Sequence, residues 1–108
     1  MLWYNLNVMV SGRIKLDRES IAELCRAYHV ERLSIFGSAL RDDFKDDSDV
    51  DVLVEFEPGR TPGFAFFELQ ERLSEALGRK VDLNTPGFLS RYFRDQVLAG
   101  AEVLYDKG

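Results

Sequence analysis

Two aspartates one residue apart, Asp49 and Asp51, stand at the head of an apolar run that continues through Val52, Leu53 and Val54. Side chains alternate along a strand. The two carboxylates therefore project from one face, while Val50, Val52 and Val54 project from the other. Roughly 7 Å apart along that face, the carboxylates repel each other and are costly beside a core. Divalent cations would offset that cost. A pair of Mg²⁺ ions about 4 Å apart, bridged by such carboxylates, serves phosphoryl or nucleotidyl displacement. One ion activates the attacking oxygen, and both stabilise charge on the transferring phosphorus and the leaving group.

Ser38 precedes Asp49 by eleven residues and follows Gly37 directly. A glycine at the end of a strand lets backbone approach a ligand closely, and a helix opening at Ser38 would present free N–H groups to an anion. The serine hydroxyl adds one more donor. The arrangement expected is a triphosphate held by Gly37 and Ser38, with metal ions held by Asp49 and Asp51. Asp82, in "KVDLN", is the candidate third carboxylate, because Val81 and Leu83 beside it would point the other way.

Each residue also has a plainer reading. Asp49 and Asp51 could be a solvated strand start after an acidic loop, and Ser38 a helix N-cap. Asp82 could only initiate a turn. Arg41 could contact phosphate or pair with the acidic loop. Asp42, Asp43, Asp46 and Asp47 read as solvated loop, His29 as a helix-end residue and Cys25 as core.

Eight predicted elements position these residues. "DRESIAELCRAYHV" predicts a helix with Ile21, Leu24, Cys25 and Tyr28 on one stripe and Asp17 as N-cap. "ERLSIFGS" predicts a short buried strand ending at Gly37, and "SALRDDF" a short helix opening at Ser38. "DVDVLVEFE" is the strongest strand signal, closed by Pro58-Gly59. "GFAFFELQERLSEALG" predicts an amphipathic helix with Phe66, Leu69, Leu73, Ala76 and Leu77 on one stripe and Gly78 as its stop. "KVDLNTP" predicts a short strand, "FLSRYFRDQVLAG" a last helix and "EVLY" a closing strand. This alternation predicts a small sheet covered by helices, an α/β architecture. Phe67 falls off the Phe66 stripe and is either an anchor for a partner or packed beneath the Pro58–Pro62 loop.

Composition narrows the function classes. A chain of 108 residues suits one domain, and 45% hydrophobic with 31% charged residues excludes a disordered chain. We expect a single catalytic domain over 13–108. Residues 1–12 would be an extension: an added strand, an upstream start or a cloning remnant. No apolar run approaches the ~20 residues that span a bilayer, so no membrane partner is expected. The single cysteine suits a reducing cytoplasm. A formal net charge of -5 argues against binding an extended nucleic acid through its phosphates.

The spacing Gly37-Ser38, ten residues, Asp49-Val50-Asp51 resembles the signature of the DNA polymerase β-like nucleotidyltransferase superfamily. With the short length and the later "VDLNTP", the nearest likeness is to the minimal nucleotidyltransferases, commonly the antitoxin partners of small helical HEPN-domain toxins. The likeness runs from about Ile14 to Tyr105. It departs from the family's Gly-Ser-Arg-Ala-Arg-Gly in one stretch: Arg41 meets the second basic position, Ala39 stands at the first, and Asp42 replaces a glycine.

The resemblance implies a mixed sheet with helices and Mg²⁺-dependent transfer of a nucleoside monophosphate from a triphosphate. For antitoxin members it implies transfer of AMP from ATP to a tyrosine hydroxyl of the toxin. By position, Gly37, Ser38 and Arg41 would bind the nucleotide, and Asp49, Asp51 and Asp82 would hold two Mg²⁺ ions and serve catalysis. The expected partners are a HEPN-domain toxin and a nucleoside triphosphate, in a homo- or hetero-oligomer. Two other readings stay open. One is an antitoxin that neutralises by binding alone, and the other a small-molecule nucleotidyltransferase of the aminoglycoside type.

Overall fold

The computed structural model describes residues 7–10, 14–37, 49–88, 95 and 100–108. Its elements, in chain order, are strands β1 (Asn7–Val10) and β2 (Ile14–Asp17), helix α1 (Arg18–Ala27), and strands β3 (Val30–Phe36) and β4 (Val50–Phe56). Helix α2 (Ala65–Leu77), strand β5 (Val81–Asn84), a short 3-10 turn (Pro86–Phe88) and strand β6 (Glu102–Asp106) follow. The predicted helices at Ser38 and over residues 88–100 lie almost wholly outside the described residues.

Four strands form one mixed sheet in the order β5-β4-β3-β6, with β4 and β5 parallel and the other two pairings antiparallel. The N-terminal stretch forms a separate antiparallel hairpin, β1 on β2, in register Val8↔Leu16 and Val10↔Ile14. Residues 7–10 thus form a strand, and the sequence does not predict the second strand at 14–17 with which it pairs.

One face of the sheet carries the core. Val50, Val52 and Val54 of β4, Leu33 and Ile35 of β3, and Val81 and Leu83 of β5 are buried against Ile21 and Cys25 of α1 and Leu69, Leu73 and Leu77 of α2. The α2 stripe runs through those three leucines at four-residue spacing. Ala76, expected on it, is exposed. Phe64 and Phe67 are 92% and 61% exposed, so the Pro58–Pro62 loop does not cover them. The helix ends behave as their residues dictate. Asp17 accepts a hydrogen bond from the Glu19 N–H as N-cap of α1, and Gly78 closes α2 at φ 67°. His29 also takes a left-handed φ of 61°, turning the chain from α1 into β3.

Burial on β4 exceeds what simple alternation predicts. Leu53 lies on the face opposite the core valines, yet it and its cross-strand partner Ser34 are buried. The centre of the sheet is therefore covered on both sides, and on β4 the charged groups of this second face, Asp51 and Glu55, stand on either side of the buried Leu53.

Candidate active site

The register of the parallel pair assembles the site. Val50 pairs with Val81 and Asp51 with Asp82, so two carboxylates stand side by side on adjacent strands, roughly 5 Å apart at the backbone. Both project from the face opposite the core valines. Asp49 precedes the strand by one residue and falls on the same side as Asp51. It is exposed and leans toward Lys80, whose Nζ lies 4.0 Å from Asp49 Oδ2. The Val50 N–H donates to the Lys80 carbonyl at 2.9 Å, which fixes the two strand starts against each other.

From the other side of β4, Phe36 of β3 pairs with Asp51, and Gly37 follows it. Gly37 has φ +75°, and a Cβ built there would overlap Asp51 Oδ2. Glycine is required at this position on two counts: the left-handed backbone, and the carboxylate in the space a side chain would fill. Of the residues predicted for the site, the fold thus brings Gly37, Asp51 and Asp82 together, with Asp49 at the edge of the group. Ser38 and Arg41 lie outside the described residues.

The donor set is entirely carboxylate oxygen, which suits a hard cation such as Mg²⁺. The absence of a side chain at Gly37 lets the Asp51 carboxylate lie directly against the backbone there. Among the described residues, no three acidic, histidine or cysteine side chains close on a common point. The carboxylates are laid out along one sheet edge, with Asp51 and Asp82 as the pair that would hold an ion.

Two further residues hold this layout, and neither stood out in the sequence. Strand β5 is an edge, and its Val81 and Leu83 N–H groups point away from β4 toward α2. The Val81 N–H donates to Ser74 Oγ at 3.0 Å, and the Leu83 N–H to Gln70 Oε1 at 2.9 Å. Ser74 in turn donates to the Gln70 carbonyl at 2.9 Å. Helix α2 therefore serves β5 in place of a fifth strand and fixes Asp82, which lies between the two anchored residues. The only trace in the sequence is that Gln70 and Ser74 are one helical turn apart.

A model of the polymerase beta nucleotidyltransferase family matches residues 19–108, spanning all of the elements that build this site. The chain belongs to the polymerase beta nucleotidyltransferase family. Among family relatives, a protein adenylyltransferase MntA from Thermococcus cleftensis is 40% identical over 84 residues, covering 77% of this chain and 81% of its own length. A Methanocaldococcus jannaschii relative is 48% identical over 61 residues, and there the match spans only 60% of the relative's length. A chain from the crystal structure of a toxin–antitoxin with AMP-PNP superposes with a TM-score of 0.66 at 26% identity, covering 85% of this chain and 75% of that one. A second, from a tri-AMPylated Shewanella oneidensis HEPN toxin in complex with MNT antitoxin, gives 0.59 at 25% identity, covering 83% and 70%. The nucleotidyltransferase fold expected from the Gly-Ser and Asp-x-Asp spacing is thus the fold of the chain.

Proposed function

We propose that this nucleotidyltransferase transfers AMP from ATP to a hydroxyl of a protein partner, a tyrosine of a HEPN-type toxin, and so acts as an antitoxin. One observation carries the chemistry: Asp51 and Asp82 are register partners, with Gly37 packed against the Asp51 carboxylate. The acceptor and nucleotide are supported by the relatives, one named a protein adenylyltransferase and another in complex with an AMPylated HEPN toxin.

The acceptor oxygen attacks the α-phosphorus of ATP, forming a new P–O ester bond. The bond from that phosphorus to the bridging oxygen breaks, and pyrophosphate leaves with the electron pair. The acceptor proton passes to Asp82, whose exposed carboxylate can receive it. Mg²⁺ held by Asp51 and Asp82, with Asp49 at the edge of the group, would neutralise the triphosphate and the charge that develops in transfer. Gly37, with Ser38 and Arg41, holds the triphosphate, and the close backbone at Gly37 lets phosphate oxygens approach the carboxylates.

The test is label transfer from α-³²P-ATP to the HEPN partner in the presence of Mg²⁺. A labelled partner that disappears with Asp51→Asn and with a chelator supports this reading. An unlabelled partner that the protein nevertheless neutralises, equally well with Asp51→Asn, would replace it with neutralisation by binding.

A further inference from the structure

Glu55 projects from the same sheet face as Asp51, four residues further along β4 and so about 13 Å away. It lines a cleft of about 300 Å³ together with Val54, Phe56, Thr61, Thr85 and Pro86, between the loop after β4 and the end of β5. Its Oε2 is buried and has no hydrogen-bond partner among the described residues. Arg32 forms an ion pair with it, the Nη1–Oε2 distance of 3.7 Å being too long for a hydrogen bond. The same guanidinium lies 3.4 Å from Asp106, so across this row one cation serves two carboxylates. Arg60, the cation of the adjacent loop, is turned instead to His29, with its Nη2 2.8 and 3.2 Å from the two ring nitrogens.

A carboxylate oxygen that accepts no hydrogen bond is under-served, and two carboxylates sharing one cation leave a negative charge that a second charged donor would offset. The lining matches a long cationic side chain. Phe56 and Pro86 offer apolar surface to an aliphatic stem, while Thr61, Thr85 and Glu55 offer oxygens to its head. We infer that this cleft receives the guanidinium or ammonium of a lysine or arginine on the protein acceptor, and so selects which hydroxyl is presented at Asp51 and Asp82. This rests on the adenylyl-transfer reading above. The amine of a nucleotide base carries donor chemistry of the same kind, and the two sources separate kinetically.

Two measurements on the full chain test it. In the first, ¹⁵N-labelled protein is titrated with N-acetyl-arginine amide, with no nucleotide present. Amide shifts should centre on Glu55, Thr61 and Thr85 and vanish in Glu55→Gln, which keeps the side chain's shape. Shifts that persist in Glu55→Gln, or none at the cleft, overturn the proposal. In the second, transfer to the HEPN partner is followed with Mg²⁺ and ATP. Glu55→Gln should raise the KM for the protein acceptor about tenfold and leave kcat and the KM for ATP unchanged. A rise in the KM for ATP instead assigns the cleft to the nucleotide base, and no change in either KM removes its role; both overturn the proposal. Should wild-type protein transfer nothing while the titration still maps to the cleft, adenylyl transfer fails as a reading and the acceptor role falls with it.

Discussion

Gly37 and Asp51 occupy one another's space: a Cβ on the first would overlap a carboxylate oxygen of the second. The glycine that ends β3 and the aspartate that opens β4 therefore depend on each other. The backbone at Gly37 comes as near to the carboxylate as backbone can, which suits a phosphate sharing a cation with that carboxylate.

Gly37→Ala tests that dependence. A left-handed φ costs an alanine about 1–2 kcal/mol, and the overlap with Asp51 Oδ2 must also be relieved by moving the carboxylate. We expect a fold that survives with a lowered melting temperature and transfer reduced roughly 100-fold, since small misplacements at a reacting centre are costly. Circular-dichroism melts and labelled transfer read the two effects separately. Wild-type transfer in the alanine variant would show that the Asp51 carboxylate need not stay where it is.

The two register-paired carboxylates should respond oppositely in activity and stability. Like charges directly across a strand pair destabilise it, and Asp82 is exposed. Asp82→Asn should leave stability unchanged or raise it by about 0.2–1 kcal/mol while transfer falls at least about 100-fold. Urea unfolding and transfer assays on the same preparation decide it. Lost stability alongside lost activity would mean that Asp82 serves the fold.

Much of this site was legible because its signals are local. Asp17 reads as an N-cap, Gly78 as a stop and the valines of β4 as a strand, because each depends on neighbours within a few residues. The face shared by Asp49 and Asp51 follows from period two alone. What stayed hidden is set by pairing across the chain. That β4 and β5 run parallel with Asp51 opposite Asp82 depends on a crossover through α2, and no local pattern encodes a register between strands so joined. The β2 strand at Ile14–Asp17 is short and has its partner in β1, and residues before a helix cap do not announce a hairpin. Gln70 and Ser74 read as polar residues on an amphipathic helix, and only the fold reveals the edge strand they serve.

Those two residues carry a third prediction. Removing Ser74 Oγ orphans the Val81 N–H, and removing Gln70 Oε1 orphans the Leu83 N–H. Each loss should cost about 1–3 kcal/mol. Because both anchors flank Asp82, the Ser74→Ala and Gln70→Ala variants should also lower kcat, with the KM for ATP little changed. Amide hydrogen exchange at Val81 and Leu83 reports the anchor directly. Protection kept in both variants would show that β5 is held by other means.

The buried thiol supplies the last prediction. Cys25 is fully buried in the core, and burial pushes its pKa up from 9.0 to about 12, the nearby Arg26 only partly opposing that. At pH 8 the folded protein should therefore resist thiol reagents that modify the unfolded chain at once. The pH dependence has a definite sign. The folded state holds the proton to a higher pH than the unfolded state, so this contribution is fully present below pH 9. It is lost as pH rises from about 9 toward 12, at up to roughly 1.4 kcal/mol per pH unit. Cys25→Ala removes the titrating group and should flatten that part of the stability curve, at a lower stability overall because a buried side chain is truncated. Urea denaturation of both proteins at several pH values between 8 and 11 measures the difference in slope. Parallel curves for the two would mean that the alkaline loss arises elsewhere in the fold.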